Sequence, residues 1–315
     1  MHKLDEKKII EIFQKNFLNN VHSEDVEVFR LGKNYGVIKT DTLVESTDVP
    51  PQMSPIQIAQ KSIVAPVSDF AAKGVKPSYG IISVSLPRNY PKSKIIELAK
   101  GFKIASRRFG IKILGGDTNE AKEIVISVTL FGIARKITPR TGAKIGDLII
   151  TTGKFGRTTA GLGILLHKNK SIGQFKKSAK EAVLSPRPRL DFGICASKYL
   201  NSSMDSSDGL STTLSEMAKE SRKKFVITHM PKDKELDDFA KTNQRNIMDL
   251  VFNGGEEYEI VATTSPKNIE NLGKIAKASK TSLTIIGHVQ NGRGVFFQDG
   301  KRQIRIEDKG WSHFS

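Results

Sequence analysis

The sequence predicts a mixed α/β (α+β) protein of two domains. The chain has 315 residues, of which 38% are hydrophobic and 26% are charged. This length and composition are typical of a globular chain with room for two cores rather than one. Segments with helical and with strand periodicity alternate without a clean βαβ repeat, which favours mixed sheets. A second series of such segments begins near Gly146, and we expect it to form the second domain.

The first series begins with apolar residues at helical spacing. Pro66 interrupts a later helical pattern, and since proline removes a backbone donor, Ser68 or Asp69 is expected to cap a new helix there. The predicted helices are 5–18, 54–72 with its break at Pro66, and 93–109. The predicted strands are 26–31 and 35–40, joined as a hairpin, then 81–86, 111–114 and 124–134, the last apolar enough to be buried on both faces.

The second series contains a basic, polar segment, 168–180, which is predicted to be an exposed connection. Asp205 and Asp208 are predicted to lie in a turn. The predicted strands are 147–152, 225–228, 258–263 and 283–289. The predicted helices are 190–200, 210–220 and 269–277.

The chain is strongly basic, with a formal net charge of +17 and an isoelectric point near 9.8. Two explanations compete: a basic face for nucleic acid, or scattered lysines that keep a chain soluble while it acts on small anions. The basic residues are spread along the chain, without a basic block interleaved with aromatic residues. Nucleic-acid binding is therefore the less favoured explanation.

Cys195 is the only cysteine, which excludes an intrachain disulfide and a thiolate metal cluster. A cytoplasmic protein is the default expectation. The longest apolar run, 124–134, is too short to cross a bilayer, so no membrane partner is expected.

Several aspartates are predicted at the ends of strands and helices. For Asp117, a short apolar strand is followed by Gly115-Gly116-Asp117, and paired glycines allow a sharp turn. In a chain with 6 histidines and one cysteine, such carboxylates suit Mg²⁺ better than zinc, and Mg²⁺ typically holds phosphates. This favours a Mg-nucleotide or phosphoryl-transfer site, the alternative being separate caps and turns that never converge. The aspartates are Asp25, Asp41, Asp48, Asp69, Asp117, Asp205 and Asp208.

The common signatures of other nucleotide and hydrolase sites are missing. No Gly-Lys pair is followed by Ser or Thr, so there is no Walker A loop. Gly-x-Ser-x-Gly is also absent, which makes an α/β-hydrolase unexpected.

Eight short motifs, spread over nearly the whole chain and in a consistent order, resemble those of the thiamine-monophosphate kinases in their archaeal form. That family lies in the superfamily of aminoimidazole ribonucleotide synthetase and selenophosphate synthetase. The motifs are Lys39–Val44, Thr47–Pro50, Val67–Gly74, Leu114–Thr118, Thr138–Ala143, Met204–Leu210, Gly254–Glu259 and Gly310–Phe314.

The resemblance implies an activity and an architecture. The family transfers the γ-phosphoryl group of ATP directly to the phosphate of thiamine monophosphate, with several Mg²⁺ ions, in thiamine diphosphate biosynthesis. The implied fold is the two-domain aminoimidazole ribonucleotide synthetase-like fold. Residues 1–137 would form the ATP- and Mg-binding dimerisation domain, and 138–315 the domain that completes the site. A homodimer is implied, with the nucleotide near its interface.

The resemblance also implies roles for individual residues. The implied catalytic residues are Arg140, Asp117 and Asp208. The residues implied to contact the nucleotide are Gly116, Asp117, Arg140 and Ser207. The residues implied to bind thiamine monophosphate are Asp48, Glu256 and Trp311. The Mg²⁺ ligands would be Asp25, Thr40, Asp41, Asp69, Asp117, Asp205 and Asp208.

Two departures from the family pattern bear on metal number and affinity. Ser23-Glu24-Asp25 stands where the family usually has Gly-Asp-Asp, and Glu257 stands where it usually has Asp. Two alternatives remain open at this point. One is another ATP-dependent kinase or synthetase of the superfamily, although the first 50 residues lack the cysteine of a selenophosphate synthetase. The other is a catalytically degenerate, basic nucleic-acid-binding homologue.

Overall fold

The strands form two sheets, one in each half of the chain. The computed structural model describes residues 6–17 and 24–312. The first sheet contains β1 (Glu27–Leu31), β2 (Asn34–Val44), β3 (Pro77–Leu86), β4 (Lys112–Glu120) and β5 (Val125–Ala134), in the order β1-β2-β5-β3-β4. The second contains β6 (Leu148–Thr152), β7 (Ser202–Ser206), β8 (Lys224–Ile227), β9 (Glu259–Thr264), β10 (Leu283–Gln290), β11 (Gly294–Asp299) and β12 (Arg302–Arg305), in the order β12-β11-β8-β10-β6-β9-β7.

Helices accompany both sheets, and the predicted mixed α/β class is confirmed. They are α1 (Glu6–Phe17), α2 (Glu45–Asp48), α3 (Pro55–Lys73), α4 (Lys92–Phe109), α5 (Arg157–Leu166), α6 (Gly173–Leu184), α7 (Leu190–Ala196), α8 (Leu210–Ser221), α9 (Glu235–Thr242), α10 (Ile247–Phe252) and α11 (Ile269–Ala278). None of the described helices is long and apolar enough to cross a membrane.

Helix α3 is the buried element between the two halves. Ser54 and Gln57 cap its start reciprocally, and Gly74 ends it at a φ of 68°, a conformation that glycine adopts without steric cost. The helix contacts β2 and β5 in the first half and β7, β9 and α7 in the second. It therefore fixes the position of one half relative to the other.

The predicted break at Pro66 is wrong, because α3 runs through this proline. Asp69 consequently lies inside a helix and caps nothing. A proline inside a helix costs about 3 kcal/mol, but α3 buries most of its length, including Val67 and Phe70, and this packing offsets the local cost.

The first sheet has one face against helices and one face turned away from them. Side chains such as Val37, Val128 and Leu130 are buried in the core with α3 and α4. Alternate residues face outward, so β5 is buried on one face only, and its predicted burial on both faces is wrong. The outer face carries exposed apolar side chains, namely Phe29, Ile38, Tyr79, Ile81 and Ile133.

Three aspartates predicted at turns or strand ends lie inside strands instead. Asp41 and Asp117 are interior residues of β2 and β4, and Asp205 belongs to β7. Gly116 makes no turn: a Cβ there would come 1.6 Å from the Ile82 carbonyl oxygen, so the glycine allows β3 and β4 to approach closely.

The second half contains elements that the periodicity did not predict. Part of the basic segment predicted as a connection is the start of α6, and α9, α10, β11 and β12 were also missed. Helices α9 and α10 have 8 and 6 residues, which gives too few turns for a distinct apolar period.

Candidate active site

Three buried carboxylates meet where the two halves join. Asp25 precedes β1, Asp69 lies in α3 and Asp205 lies in β7, and ligand atoms of all three lie within 4.8 Å of one another. The Ser68 hydroxyl on α3 donates to Asp205 Oδ2 at 2.9 Å. Since α3 belongs to the first half and β7 to the second, the cluster requires both halves to be in place.

The surroundings of these carboxylates disfavour their ionised forms unless cations balance them. Burial raises the pKa of Asp69 and of Asp205 well above its usual range, and neighbouring carboxylates raise both further. Burial likewise raises the pKa of Asp41. Burial also acts to raise the pKa of Asp25, but Lys73 and Arg140 outweigh it and hold that pKa below its usual value.

Two basic side chains hold Asp25. Lys73 Nζ is 2.8 Å from Asp25 Oδ2, and Arg140 Nε donates to Asp25 Oδ1 at 2.7 Å. Lys73 is fully buried and also contacts Glu24 Oε2, at 2.6 Å. Glu24 in turn accepts from the backbone N–H of Arg140. Glu24, which stands where the family usually has Asp, is thus part of this network. Ser23, which stands where the family usually has Gly, lies outside the described residues.

A third cation, Lys39 of β2, forms ion pairs with Asp69 and Asp41. Its ammonium is 3.0 Å from Asp69 Oδ2 and 3.6 Å from Asp41 Oδ1. Burial acts to lower the pKa of Lys39, but Asp69 and Asp41 more than compensate and raise it.

The donor set fits a hard divalent cation. Oδ2 of Asp41 is buried and has no hydrogen-bond partner among the residues that the structure describes, which is costly unless a cation or water satisfies it. Carboxylate oxygens are the ligands that Mg²⁺ prefers, and mutually repelling buried carboxylates need cations to remain ionised. Asp25, Asp41, Asp69 and Asp205 are therefore the residues that would hold it.

A cavity of about 470 Å³ opens beside Asp41 and brings together residues from the whole length of the chain. It is lined by Lys39 and Asp41 from β2, by Ser207 and Asp208 just before α8, and by Trp311 near the end of the described residues. Predicted site residues lining it are Asp41, Asp48, Ser207, Asp208, Glu256 and Trp311. The sequence motifs that contain them therefore converge in space.

Lys61 of α3 organises one wall of this cavity. Its side chain is only 3% exposed, and its ammonium lies 2.5 Å from Glu256 Oε1 and donates to the Asp48 carbonyl oxygen at 2.6 Å. The Asp48 carboxylate accepts from the backbone N–H of Val44. Asp48 and Glu256, both predicted for the thiamine site, are thus linked through one buried lysine.

The loop before β9 turns two consecutive glutamates in different directions. Glu256 and Tyr258 have φ values of 65° and 52°, in the left-handed region that non-glycine residues seldom occupy. Glu256 faces the cavity, whereas the buried Glu257 accepts from the backbone N–H of Gly156, at the start of α5, at 2.6 Å. Strained backbone of this kind persists where surrounding contacts hold it.

Three predicted site residues, Thr40, Gly116 and Asp117, lie apart from both the buried cluster and the cavity. Thr40 and Asp117 point to the outer face of the first sheet, and Thr40 bonds to Thr129 there. Asp117 is exposed on β4 and accepts from Asn119. In the strand register, Asp117 lies three strands away from Thr42, the residue that follows Asp41. At the usual spacing between strands, this is a separation of about 14 Å. Gly116 shares this exposed strand.

Sequence reasoning missed the lysines of the site. Lys39, Lys61 and Lys73 all contact predicted site residues or their neighbours. For Lys73 a signal existed, because it lies four residues after Asp69 on the same helix, and acid–base pairs at that spacing share a helix face. For Lys39 a signal also existed, because it lies two residues before Asp41 and side chains at that spacing share one face of a strand. Lys61 carried no such signal.

Comparisons with known proteins agree with this arrangement. The chain matches the AIR synthase related protein family, by its N-terminal domain over residues 23–134 and by its C-terminal domain over residues 144–300. The fold and the site between its halves therefore define a two-domain protein of the AIR synthase related class. Within that class, the chain belongs to the thiamine-monophosphate kinase family.

Relatives of high coverage support that assignment. The chain is 56% identical to the thiamine-monophosphate kinase of Nitrosopumilus maritimus, with 100% of both chains covered. It is 34% identical to that of Pyrococcus horikoshii, covering 99% of this chain and 97% of the relative. The structure of AaThiL complexed with AMPPCP and TMP superposes with a TM-score of 0.88 at 28% identity, covering 99% of this chain and 98% of that one. The family resemblance drawn from the motifs is confirmed.

Proposed function

We propose that this chain phosphorylates thiamine monophosphate to thiamine diphosphate with ATP, as a cytoplasmic enzyme of thiamine diphosphate biosynthesis. The observation that carries the proposal is the convergence of buried carboxylates with a cavity lined by Asp48, Glu256 and Trp311. AaThiL, whose structure holds the ATP analogue AMPPCP and TMP, supports both substrates.

The donor and acceptor are both polyanions, so the site must balance charge and hold them in line. Asp25, Asp41, Asp69 and Asp205 would hold Mg²⁺, which neutralises the phosphates and orients them when bound. No covalent enzyme nucleophile is required, because an acceptor phosphate oxygen is already anionic. That oxygen forms a bond to the γ-phosphorus while the bond to the β,γ-bridging oxygen breaks, and ADP leaves.

The remaining roles follow from charge and position. Arg140, held by Asp25, supplies positive charge near the phosphates. Ser207, which lines the cavity, would contact the nucleotide phosphates, and Asp208 beside it would hold a further cation near the acceptor phosphate. Trp311, which is 55% exposed, offers a ring face to the cationic thiazolium, and Glu256 offers it a carboxylate.

We also propose a homodimer formed through the outer face of the first sheet. An apolar sheet face that no helix within residues 6–17 and 24–312 covers, carrying Phe29, Ile38, Ile81 and Ile133, is the kind of surface that a second copy covers. Gly116 and Asp117 would then contact the nucleotide phosphates near this interface. In this proposal the dimerisation domain spans 1–137, and the domain that completes the site spans 138–315.

A product assay tests the proposed reaction. Purified protein with Mg-ATP and thiamine monophosphate is expected to yield thiamine diphosphate and ADP in equal amounts. ADP without thiamine diphosphate would indicate a different acceptor. Absence of ADP from folded protein would contradict the kinase assignment.

Replacing Asp117 with Asn tests the proposed role of the exposed strand. We expect a normally folded protein, since the side chain is exposed, with turnover reduced about 10- to 100-fold through weaker metal and nucleotide binding. Circular dichroism and ADP release measure the two effects. Glu120→Gln, which neutralises another exposed carboxylate on the same strand, is the control, and near-normal turnover in Asp117→Asn would remove Asp117 from the site.

Replacing Trp311 with Ala tests the proposed thiamine site. We expect the KM for thiamine monophosphate to rise about 10-fold, the loss expected for a cation–π contact of roughly 1–2 kcal/mol, with the KM for ATP nearly unchanged. Initial-rate kinetics with each substrate varied in turn measure both constants, and Trp311→Phe, which keeps an aromatic face, is the matched control. An unchanged KM for thiamine monophosphate would leave Trp311 a packing role alone.

A further inference from the structure

Lys39 places an ammonium group among the carboxylates expected to hold metal. It lies on the helix-facing side of β2, two residues before Asp41, and its ion pairs with Asp69 and Asp41 are 3.0 and 3.6 Å long. Asp41 is on the same strand, and Asp69 is on the buried helix α3. The partners of this ammonium are therefore fixed by the core of the protein.

The charges around the cluster divide into two groups. Asp25 and Glu24 are balanced by Lys73 and Arg140, and these two cations contact both oxygens of Asp25. Asp41, Asp69 and Asp205 form the second group. Within residues 6–17 and 24–312, the ion pairs of Asp41 and Asp69 are with Lys39. When ionised, three carboxylates and one ammonium leave two negative charges, which a single divalent cation neutralises.

We propose that the ammonium of Lys39 is a resident cation of this site, so that the nucleotide-free chain binds one divalent metal ion fewer than its carboxylates alone would hold. The Lys39 ammonium, held in place by β2, occupies the position between Asp69 and Asp41 that a second metal ion would otherwise take. Further metal ions enter with the nucleotide phosphates, which bring their own negative charge. This inference rests on the proposed metal role of the carboxylates but not on the identity of the acceptor.

Counting bound Mn²⁺ tests the inference. Free Mn²⁺ is measured by electron paramagnetic resonance in titrations of the full-length, nucleotide-free protein. We expect Lys39→Gln to bind one more Mn²⁺ per chain than the unmodified protein, and Lys39→Arg, which keeps a cation, to retain the unmodified count. Lys33→Gln, on the exposed hairpin before the same strand, is the matched control.

Equal counts in the unmodified protein and Lys39→Gln would overturn the inference, because they would show that metal displaces the ammonium. Absence of Mn²⁺ from all of the proteins would overturn the proposed metal site and the inference together. The counts do not depend on the acceptor, so a failed thiamine diphosphate assay leaves them unaffected.

A second measurement uses the unmodified chain and does not depend on whether a variant folds. Acetic anhydride labelling followed by mass spectrometry reports the reactivity of each lysine with and without saturating Mn²⁺. We expect Lys39 to stay protected in both states, relative to Lys274, whose side chain is 70% exposed. A rise in Lys39 labelling on addition of Mn²⁺ would show displacement and overturn the inference.

Discussion

Replacing Asp205 with Asn is expected to abolish Mg-ATP turnover while making the metal-free protein more stable. Asp205 is 3% exposed and lies beside Asp25 and Asp69, so an uncharged side chain relieves repulsion between buried carboxylates. The same change removes a ligand from the proposed metal site, where stabilisation of developing charge contributes several kcal/mol. We expect turnover to fall about 1,000-fold or more, since each 1.36 kcal/mol is a factor of ten in rate.

Two measurements separate these effects. ADP release in the presence of thiamine monophosphate reports turnover. Thermal melting without metal should give a Tm higher than that of the unmodified protein, by about 2–4 °C for each kcal/mol of repulsion relieved. Addition of Mg²⁺ should raise the Tm of the unmodified protein by mass action and should raise that of Asp205→Asn by less.

Asp191→Asn is the matched control, because Asp191 is an exposed aspartate in the same half of the chain. It should retain turnover and the Mg²⁺-dependent rise in Tm. Near-normal turnover in Asp205→Asn, or an undiminished Mg²⁺ effect on its Tm, would contradict the proposed metal role of Asp205.

The elements that the sequence predicted well are those whose signals are local. Helix α3 shows this clearly: a helix was predicted over 54–72 and is observed over Pro55–Lys73, and both of its ends carry local chemical signals, the capping box at Ser54 and the glycine at Gly74. Its continuity through Pro66 was not predictable in the same way. It depends on burial between two sheets, a tertiary effect that overrides local propensity.

The site was predictable as a set of residues but not as a geometry. Asp25, Asp69 and Asp205 were singled out as residues at turns or caps, and they converge from a loop, a helix and a strand. Their convergence depends on how α3 packs against β7, which no spacing along the chain reveals. The cations Lys39, Lys61 and Lys73 were missed because lysine is usually a solvated surface residue.

The position of Asp117 shows the limit of interpreting glycine pairs. Two glycines before an aspartate indicated a turn, which would have placed the carboxylate at a strand end. In the structure Gly116 permits close contact between two parallel strands, and the strand continues through Asp117 to Glu120. A sequence pattern does not distinguish a glycine needed for a turn from one needed for close approach.

Replacing Glu257 with Gln is expected to change how stability depends on pH. Burial raises the pKa of Glu257 to about 8, from an ordinary value of 4.5, although hydrogen bonds from Thr158 and Gly156 act in the opposite direction. The folded protein therefore keeps this carboxyl protonated over a range in which the unfolded chain ionises it. Unfolding releases a proton between these two values, so the free energy of unfolding falls as pH rises through that window.

The size of the effect follows from the width of the window. Each unit of pKa difference corresponds to about 1.4 kcal/mol, so the loss between pH 4.5 and 8 is at most about 5 kcal/mol. The contribution of Glu257 is fully present below pH 4.5 and is lost above pH 8. Glutamine keeps an acceptor oxygen for the Gly156 N–H but cannot ionise, so Glu257→Gln lacks this loss.

Urea unfolding midpoints at pH 5, 6.5 and 8.5 measure the difference. We expect Glu257→Gln to match the unmodified protein or be slightly less stable at pH 5, and to become progressively more stable than it toward pH 8.5. Glu270→Gln, which alters a carboxylate that is 80% exposed, should follow the unmodified protein at all three values. Parallel pH profiles for Glu257→Gln and the unmodified protein would show that Glu257 ionises near its ordinary pKa. Its hydrogen bond to the start of α5 would then be the bond of a carboxylate, and the strained loop that presents Glu256 would be anchored by a charge rather than by a neutral acid.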